Sequence, residues 1–289
     1  MSTVGLILKS TRGLYVVESP LGIHSCPARG LFRKQGITPL VGDAVTIEDD
    51  MIVQVHPRKN ELIRPPLANL DQLLFVVSTC KPAPNVLLLD KFIAICEFKG
   101  IRPILLFTKL DLAKNDPLIT LYRRVGIPVY CVDYSDPATI QTVKDLLADK
   151  ISAFTGNSGA GKSTLLNAID ESLGLETGEI SEKLGRGRHT TRTAELYHLD
   201  NGGLIADTPG FSTFETNQYD IIRRGELADC FVEFGNYLGD CRFQDCSHTV
   251  EKGCAILEAV KAGEIAQSRH ESYCRMMEEA AQLKEWELK

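Results

Sequence analysis

At 289 residues, the chain is longer than a typical single domain, and its length predicts two domains, or three if some are small. Its composition, 44% hydrophobic and 24% charged, is that of a protein able to bury a sizeable core, which excludes wholesale disorder. The net charge of −6 argues against indiscriminate nucleic-acid binding through a uniformly basic surface, while leaving room for a local basic patch. Apolar runs such as Leu73 to Val77 and Val86 to Leu89 are too short to span a bilayer. The N-terminus, with Lys9 and Arg12 in an alternating pattern, does not read as a secretory signal, so no membrane association and a cytoplasmic location are expected. Nine cysteines, an odd count without an export signal, argue for reduced thiols, some of which can bind metal.

Residues 1–64 alternate short β-rich runs with turn signals. The runs are Val4 to Leu8, Leu14 to Val17, Ile23 to Cys26, Asp43 to Glu48 and Met51 to Val55. Short strands at this density suit a small closed barrel, either an oligonucleotide-binding (OB) fold or an SH3-like barrel. Such a barrel can be purely structural. Arg29, Arg33 and Lys34 in its loop and Arg58 and Lys59 after it are the candidate RNA contacts.

Arg64-Pro65-Pro66 punctuates the chain, and residues 65–214 then alternate strands with helical stretches. Apolar strands are expected at Leu73 to Ser78, Pro103 to Phe107, Val129 to Val132 and Ile151 to Phe154, and a helix at Asn85 to Gly100. This pattern predicts a parallel sheet covered by helices on both faces. Residues 215–289 read as a mostly helical third domain with a cysteine-rich stretch and a long terminal helix from about Ala262 to Leu288.

Gly156-Asn157-Ser158-Gly159-Ala160-Gly161-Lys162-Ser163 fits G-x-x-x-x-G-K-[ST] between an apolar strand and a helical run beginning at Thr164. The glycines let backbone N–H groups wrap a phosphate, Lys162 supplies charge to the outer phosphates, and the Ser163 hydroxyl can reach Mg²⁺. The chain is therefore expected to bind a nucleoside triphosphate. Downstream, Asp207-Thr208-Pro209-Gly210 closes an apolar strand as D-x-x-G, with Asp207 a candidate for Mg²⁺ and Gly210 for the γ-phosphate.

Thr108-Lys109-Leu110-Asp111 follows another strand as T-K-x-D. In such an element the aspartate accepts the N–H donors of a guanine edge while the lysine stem packs on the base. Here the element precedes the phosphate loop. A rotated order is physically sound, because strands of one sheet can be connected differently while their C-terminal ends still gather around the nucleotide.

Cys241-x4-Cys246-x-His248-x5-Cys254 supplies three thiolates and one imidazole, the ligand number and type of a closed structural Zn²⁺ site, one ion per chain. The other five cysteines need no special role.

Taken together, the chain resembles the circularly permuted GTPases, and within them the family of ribosome small subunit-dependent GTPase A. The residues that carry the resemblance are Arg64 to Gln72, Asn85 to Lys91, T-K-x-D ahead of the phosphate loop, Gly185-Arg186-Gly187-Arg188-His189-Thr190-Thr191-Arg192, Asp207 to Phe211 and the Cys/His cluster. The resemblance spans essentially the whole chain. It implies a monomeric GTPase, an α/β permuted P-loop domain between an N-terminal OB barrel and a C-terminal helical zinc domain. The implied enzyme is stimulated by the small ribosomal subunit, contacts its rRNA and acts late in its maturation. The segment Cys131-Val132-Asp133-Tyr134-Ser135, which should close the base pocket, departs from the small hydroxyl or Ser-Ala pattern of relatives.

Phe211 follows Gly210 where many GTPases carry a water-orienting glutamine. A phenyl ring cannot make those bonds, so the water must be placed by another residue or by the ribosome. His189 is the chemically apt catalytic candidate, and the resemblance points the same way; contact with RNA phosphate is its alternative role. Of Thr190 and Thr191, Thr191 is favoured for Mg²⁺. Arg186, Arg188 and Arg192 make the same run a candidate RNA contact. Two other readings are an RNA-binding module using GTP as an occupancy switch, and a P-loop ATPase or kinase, which T-K-x-D disfavours. By segment, residues 1–64 carry eight Lys and Arg against six Asp and Glu, and residues 215–289 nine against fifteen. An RNA-facing role is accordingly assigned to the barrel and the arginine run.

Overall fold

The computed structural model describes residues 2–11, 13–34, 36–63, 65–114, 116–173, 195–207 and 222–282. Strands β1 (Ser2–Thr11), β2 (Leu14–Ser19), β3 (Gly22–Pro27), β4 (Ala44–Glu48) and β5 (Met51–Val55) alternate inward and outward residues. The inward set includes Ile7, Tyr15, Val17, Cys26, Val45, Ile47 and Ile52, all buried, as the two-residue period of a strand requires. β1 pairs with both β2 and β4, and β4 with β5. β3 meets β5 through the parallel bridge Ala28↔Ile52 and the Arg29 N–H bonded to Ile52 O. The circuit β1-β2-β3-β5-β4-β1 is that of an OB barrel, which decides between the two barrels expected. Helix α1 (Leu31–Lys34) lies between β3 and β4.

A two-stranded hairpin of β6 (Glu61–Leu62) and β7 (Leu67–Ala68), unforeseen from the sequence, flanks Pro65-Pro66. The main α/β sheet follows: β8 (Gln72–Ser78), α2 (Val86–Lys99), β9 (Arg102–Thr108), α3 (Asp116–Val125), β10 (Val129–Cys131), α4 (Pro137–Leu147), β11 (Ile151–Gly156), α5 (Lys162–Ile169), β12 (Glu195–His198) and β13 (Leu204–Asp207). Its order is β10-β9-β8-β11-β13-β12. The first five strands run parallel and β12 antiparallel to β13.

Every residue of β8 is buried, because one face (Leu73, Phe75, Val77) packs with Phe92, Ile93 and Tyr122 and the other (Leu74, Val76) with Val143, Leu147 and Leu165. Its continuous apolar run is the signature of a strand covered on both sides. Helix α2 begins where the Asn85 side chain accepts the Leu88 N–H and ends at Gly100 in the left-handed region.

The barrel joins the edge of this sheet. β1 pairs with β12 at Lys9↔Glu195, and the two side chains also form an ion pair at 2.6 Å. His198 lies 2.9 Å from Glu18 of β2. Arg58, a candidate RNA contact, binds Asp43, Glu61 and the Thr38 carbonyl, and Lys59 pairs with Asp71. The Asp43 bond, opposed by partial burial, holds the Arg58 guanidinium above its usual pKa. Arg58 thus ties the loop before β4 to the β6–β7 hairpin, and Lys59 reaches Asp71 at the start of β8.

The terminal helix expected from about Ala262 to Leu288 begins later, at Gln267. Helix α6 (Ala255–Lys261) stops at a turn containing Gly263 at φ +75°, and α7 (Gln267–Ala281) follows. Glycine in the left-handed region ends a helix without the steric cost of a Cβ; residues beyond 282 lie outside those described. Helix α7 packs Tyr273 against Phe231 and Phe234 and lies along α2.

Arg269 at the start of α7 is fully buried. It bonds Asp90 of α2 at 2.7 Å, Glu233 at 2.6 and 3.0 Å, and stacks 4.6 Å over the Phe231 ring. Tyr122 of α3 donates to the same Asp90 oxygen at 2.8 Å. Burial pushes the Asp90 carboxyl up, against the pull of Arg269, Ser272 and Tyr122. Burial alone would lower Arg269, but Asp90 and Glu233 hold it above its usual value, so the guanidinium keeps its charge. Removing one partner leaves an uncompensated buried charge. Arg269→Ala is therefore expected to lower the unfolding free energy by about 3–5 kcal/mol, read by urea denaturation.

Candidate functional site

The C-terminal ends of β8, β9, β10, β11 and β13 lie at one edge of the sheet because those strands are parallel, and the candidate site is assembled there. The loop from Gly156 to Gly161 leaves β11 and enters α5. Gly156 has φ +148° and a Cβ there would lie 2.5 Å from the Val76 carbonyl oxygen; Gly161 has φ +99°. Both positions therefore need glycine. The Ala160 N–H bonds Asn157 O at 3.0 Å, closing the loop on itself. Gly161 caps α5 without a side-chain bond, so the helix presents its positive end to the loop. Asn157, Lys162 and Ser163 are partly exposed, and Ser158, Gly159 and Thr164 are exposed. Beside the loop, Val76, Ser78, Pro82, Pro84, Asn85 and Asn157 line a crevice.

Thr108, the buried last residue of β9, donates its hydroxyl to Ala160 O at 2.6 Å, and Lys109 Nζ donates to Gly159 O at 2.7 Å and to Lys81 O. Two residues of T-K-x-D thus grip the phosphate loop directly. Leu110 packs on the core, and Asp111 is exposed in the turn closed by the Leu112 N–H on Lys109 O at 3.1 Å. A lysine stem fixed above the loop with a carboxylate two residues on is the arrangement that a guanine edge requires.

Thr79, which the sequence reading passed over, donates its hydroxyl to Thr108 O and Lys109 O at 3.1 and 2.8 Å and holds that strand end. Tyr134, noted only as part of a departure from relatives, donates to Gly161 O at 3.0 Å. Neither residue has a local sequence signal, since each reaches a partner at least 27 positions away.

Asp207 is the last residue of β13, one position beyond the pair Ala153↔Ala206, and its backbone pairs with Glu195 of β12. Gly210, Arg186, Arg188, His189, Thr190, Thr191 and Arg192 lie outside the described residues. So does the Arg33 side chain, while Arg29 and Lys34 are exposed on the barrel.

The second constellation is in the C-terminal lobe. One ligand atom from each of Cys241, Cys246, His248 and Cys254 lies within 4.8 Å of every other. His248 Nδ1 is 3.5 Å from both Cys241 Sγ and Cys254 Sγ, and those sulfurs are 3.9 Å apart. A tetrahedral ion with metal–sulfur bonds of about 2.3 Å and metal–nitrogen bonds of about 2.0 Å separates its ligands by about 3.5 to 3.8 Å. The four residues fit a metal ion.

Their surroundings orient them. Backbone N–H groups of Ala255 and Leu257 donate to Cys241 and Cys254 sulfurs at 3.4 and 3.5 Å. His270 Nε2 donates to the His248 carbonyl at 2.8 Å, and Tyr273 OH to Ser247 O at 2.9 Å. Glu251 accepts the N–H groups of Ser247, Thr249 and Val250. Burial would raise its carboxyl, but the bonds from Ser247 and the backbone draw it down to about 2.

A parallel sheet whose base-reading element on β9 precedes its phosphate loop on β11 and its D-x-x-G strand β13 is a circularly permuted GTPase. The sequence model of the RsgA GTPase family matches residues 55–217, and that of the RsgA N-terminal domain matches residues 4–52. The chain belongs to the RsgA GTPase family and is a GTP-hydrolysing enzyme.

The small ribosomal subunit biogenesis GTPase RsgA of Caldanaerobacter subterraneus is 42% identical over 95% of this chain and 95% of its own. RsgA 2 of Oceanobacillus iheyensis is 44% identical over 95% and 96%. The crystal structure of YjeQ from Thermotoga maritima superposes with a TM-score of 0.83 at 34% identity, covering 98% of this chain and 100% of that one. That of YloQ, a circularly permuted GTPase, gives 0.79 at 35%, covering 98% and 96%.

Proposed function

We propose that the chain hydrolyses GTP to GDP and phosphate in the late maturation of the small ribosomal subunit, and that the subunit stimulates the reaction. The observation that carries the nucleotide half of this reading is the grip of Thr108 and Lys109 on successive carbonyls of the phosphate loop. The ribosomal half is supported by the names of relatives that match nearly end to end. Residues 156–164 and Gly210 would hold the phosphates, and residues 108–111 the guanine. Mg²⁺, bound with the nucleotide, would neutralise charge between the outer phosphates, with Ser163, Asp207 and Thr191 as its protein ligands.

The division of labour follows chain order: residues 1–64 as the RNA-binding barrel, 65–214 as the GTPase domain, and 215–289 as a helical domain closed by one structural Zn²⁺. Arg29, Arg33 and Lys34 on the barrel, with Arg186, Arg188 and Arg192, are assigned to rRNA. The enzyme is assigned to the cytoplasm as a monomer; among the described residues no helix is long and apolar enough to cross a membrane.

His189 is proposed to orient the attacking water, since Phe211 cannot. GTP hydrolysis measured with and without purified small subunits tests the whole reading: stimulation is expected, and its absence would overturn the ribosomal role. In the same assay His189→Ala should reduce stimulated turnover by about 10²- to 10⁴-fold, the usual contribution of a proton-transferring or water-orienting side chain, with GDP affinity retained.

A further inference from the structure

We propose that Tyr134 is a positioning residue of the nucleotide site, whose phenol fixes the carbonyl of Gly161 and so aims the first amide of α5 at the β-phosphate of a guanine nucleotide. This rests on the guanine-nucleotide reading given above and adds a residue to it that T-K-x-D, the phosphate loop and D-x-x-G do not include.

Three successive carbonyls of the phosphate loop are each held by a side chain from outside it: Gly159 O by Lys109 Nζ at 2.7 Å, Ala160 O by Thr108 Oγ1 at 2.6 Å, and Gly161 O by Tyr134 OH at 3.0 Å. A trans peptide is planar, with its C=O and N–H pointing to opposite edges. Drawing the Ala160 carbonyl toward β9 therefore turns the Gly161 N–H the other way. Drawing the Gly161 carbonyl toward Tyr134 does the same for the N–H of Lys162, the first residue of α5. The Gly161 carbonyl also accepts the Leu165 N–H at 2.9 Å, so Tyr134 adds a second bond at the point where loop becomes helix. Approach of the phenol depends on glycine at this position: a Cβ on Gly161 would lie 2.9 Å from the Tyr134 hydroxyl oxygen.

The platform that presents Tyr134 is itself ordered by hydrogen bonds. Asp133 Oδ1 accepts both the N–H and the hydroxyl of Ser135, at 2.8 and 2.6 Å. Thr139 Oγ1 accepts the Asp133 N–H at 3.1 Å and donates to Asp133 O at 2.8 Å. The Asp136 side chain caps α4 by accepting the Ala138 N–H at 3.0 Å. β10 and β11 are separated in the sheet by β9 and β8, so the segment after β10 carries the phenol past two strand ends to the loop. Burial pushes its hydroxyl up to about 12, which keeps it protonated and a donor at neutral pH.

The test compares full-length protein and Tyr134→Phe for affinity toward GDP and GMP, by competition against a fluorescent guanine nucleotide, with thermal unfolding of each protein alongside. GMP engages the base clamp but has no β-phosphate. Loss of one neutral hydrogen bond should weaken GDP binding by about 3- to 10-fold and leave GMP affinity and the melting temperature unchanged. Equal weakening of GDP and GMP would reduce Tyr134 to a support of the base loop and overturn the proposal, as would unchanged GDP affinity. Failure of the unsubstituted chain to bind GDP at all would overturn the guanine reading itself and this proposal with it.

Discussion

Asp111→Asn is expected to weaken GTP and GDP binding by about 10²- to 10⁴-fold and to transfer the preference to xanthosine nucleotides. The carboxylate of Asp111 can accept two N–H donors of the guanine edge at once, each a charge-assisted bond worth about 1.5–3 kcal/mol. An asparagine offers one acceptor and one donor, and the donor meets the guanine amino group head on. Xanthine carries an oxygen where guanine carries that amino group, so it accepts what the asparagine donates. The two bonds together give about 3–6 kcal/mol, which is the fold-change stated. The substitution is silent for folding, because Asp111 is exposed in a turn whose closing bond is made by backbone atoms of Lys109 and Leu112. Equilibrium binding of guanosine and xanthosine diphosphates to both proteins checks it. Unchanged GDP binding would mean that Asp111 does not read the guanine edge.

What the sequence disclosed of this site and what it hid differ by the range of the interactions. The phosphate loop, T-K-x-D and the Cys/His spacing are local patterns, in which the chemistry needs particular residues a few positions apart and the backbone carries them there. The strands of the parallel sheet were equally visible, since burial on both faces forces continuous apolar runs such as Leu73 to Ser78. The strand pattern also predicted a closed barrel but did not say which, because the β3–β5 contact that closes it as an OB fold rests on one backbone bridge, Ala28↔Ile52, with no side-chain signature. Nor were the partners of Arg58 visible: in the sequence it is one more basic residue near a loop, and in the fold it is bound to Asp43, fifteen positions earlier.

The same holds for Arg269, whose partner Asp90 is 179 positions away. The terminal helix expected from about Ala262 starts only at Gln267, because the turn with Gly263 in the left-handed region separates it from α6, and the helical period does not show that turn. Tyr134 was legible only as an oddity of type, and its hydroxyl gained a role once Gly161 stood beside it.

Removal of the metal from the Cys241, Cys246, His248 and Cys254 cluster is expected to unfold the segment from Cys241 through α6 while leaving nucleotide binding intact. Structural zinc contributes on the order of 10 kcal/mol to the folding of zinc-finger peptides at neutral pH, since the ligands are not gathered in the unfolded chain. Apart from buried Ile256 and Ala259 and the bonds that His270 and Tyr273 make to its backbone, this segment has little else of that size. Phe243 and Val250 point to solvent, and its internal order rests on Glu251 with the N–H groups of Ser247, Thr249 and Val250. Cys254 is at once a proposed ligand and the cap of α6, accepting the Leu257 N–H, so loss of an ion there should also loosen that helix. Helix α7, by contrast, is anchored to α2 through Arg269 and Asp90 and through Lys91 and Glu279, none of them a ligand. Among the described residues the lobe is joined to α2, and to α3 through Arg124, which donates to the Gly263 and Glu264 carbonyls. Chelation should therefore abolish hydrogen-exchange protection between residues 241 and 261, with α7 and GDP affinity changed far less, and Cys254→Ser should reproduce this without chelator. The native protein prepared without chelator should carry one zinc per chain by elemental analysis. Much less than one, or protection that survives chelation, would mean that the cluster is held by packing alone.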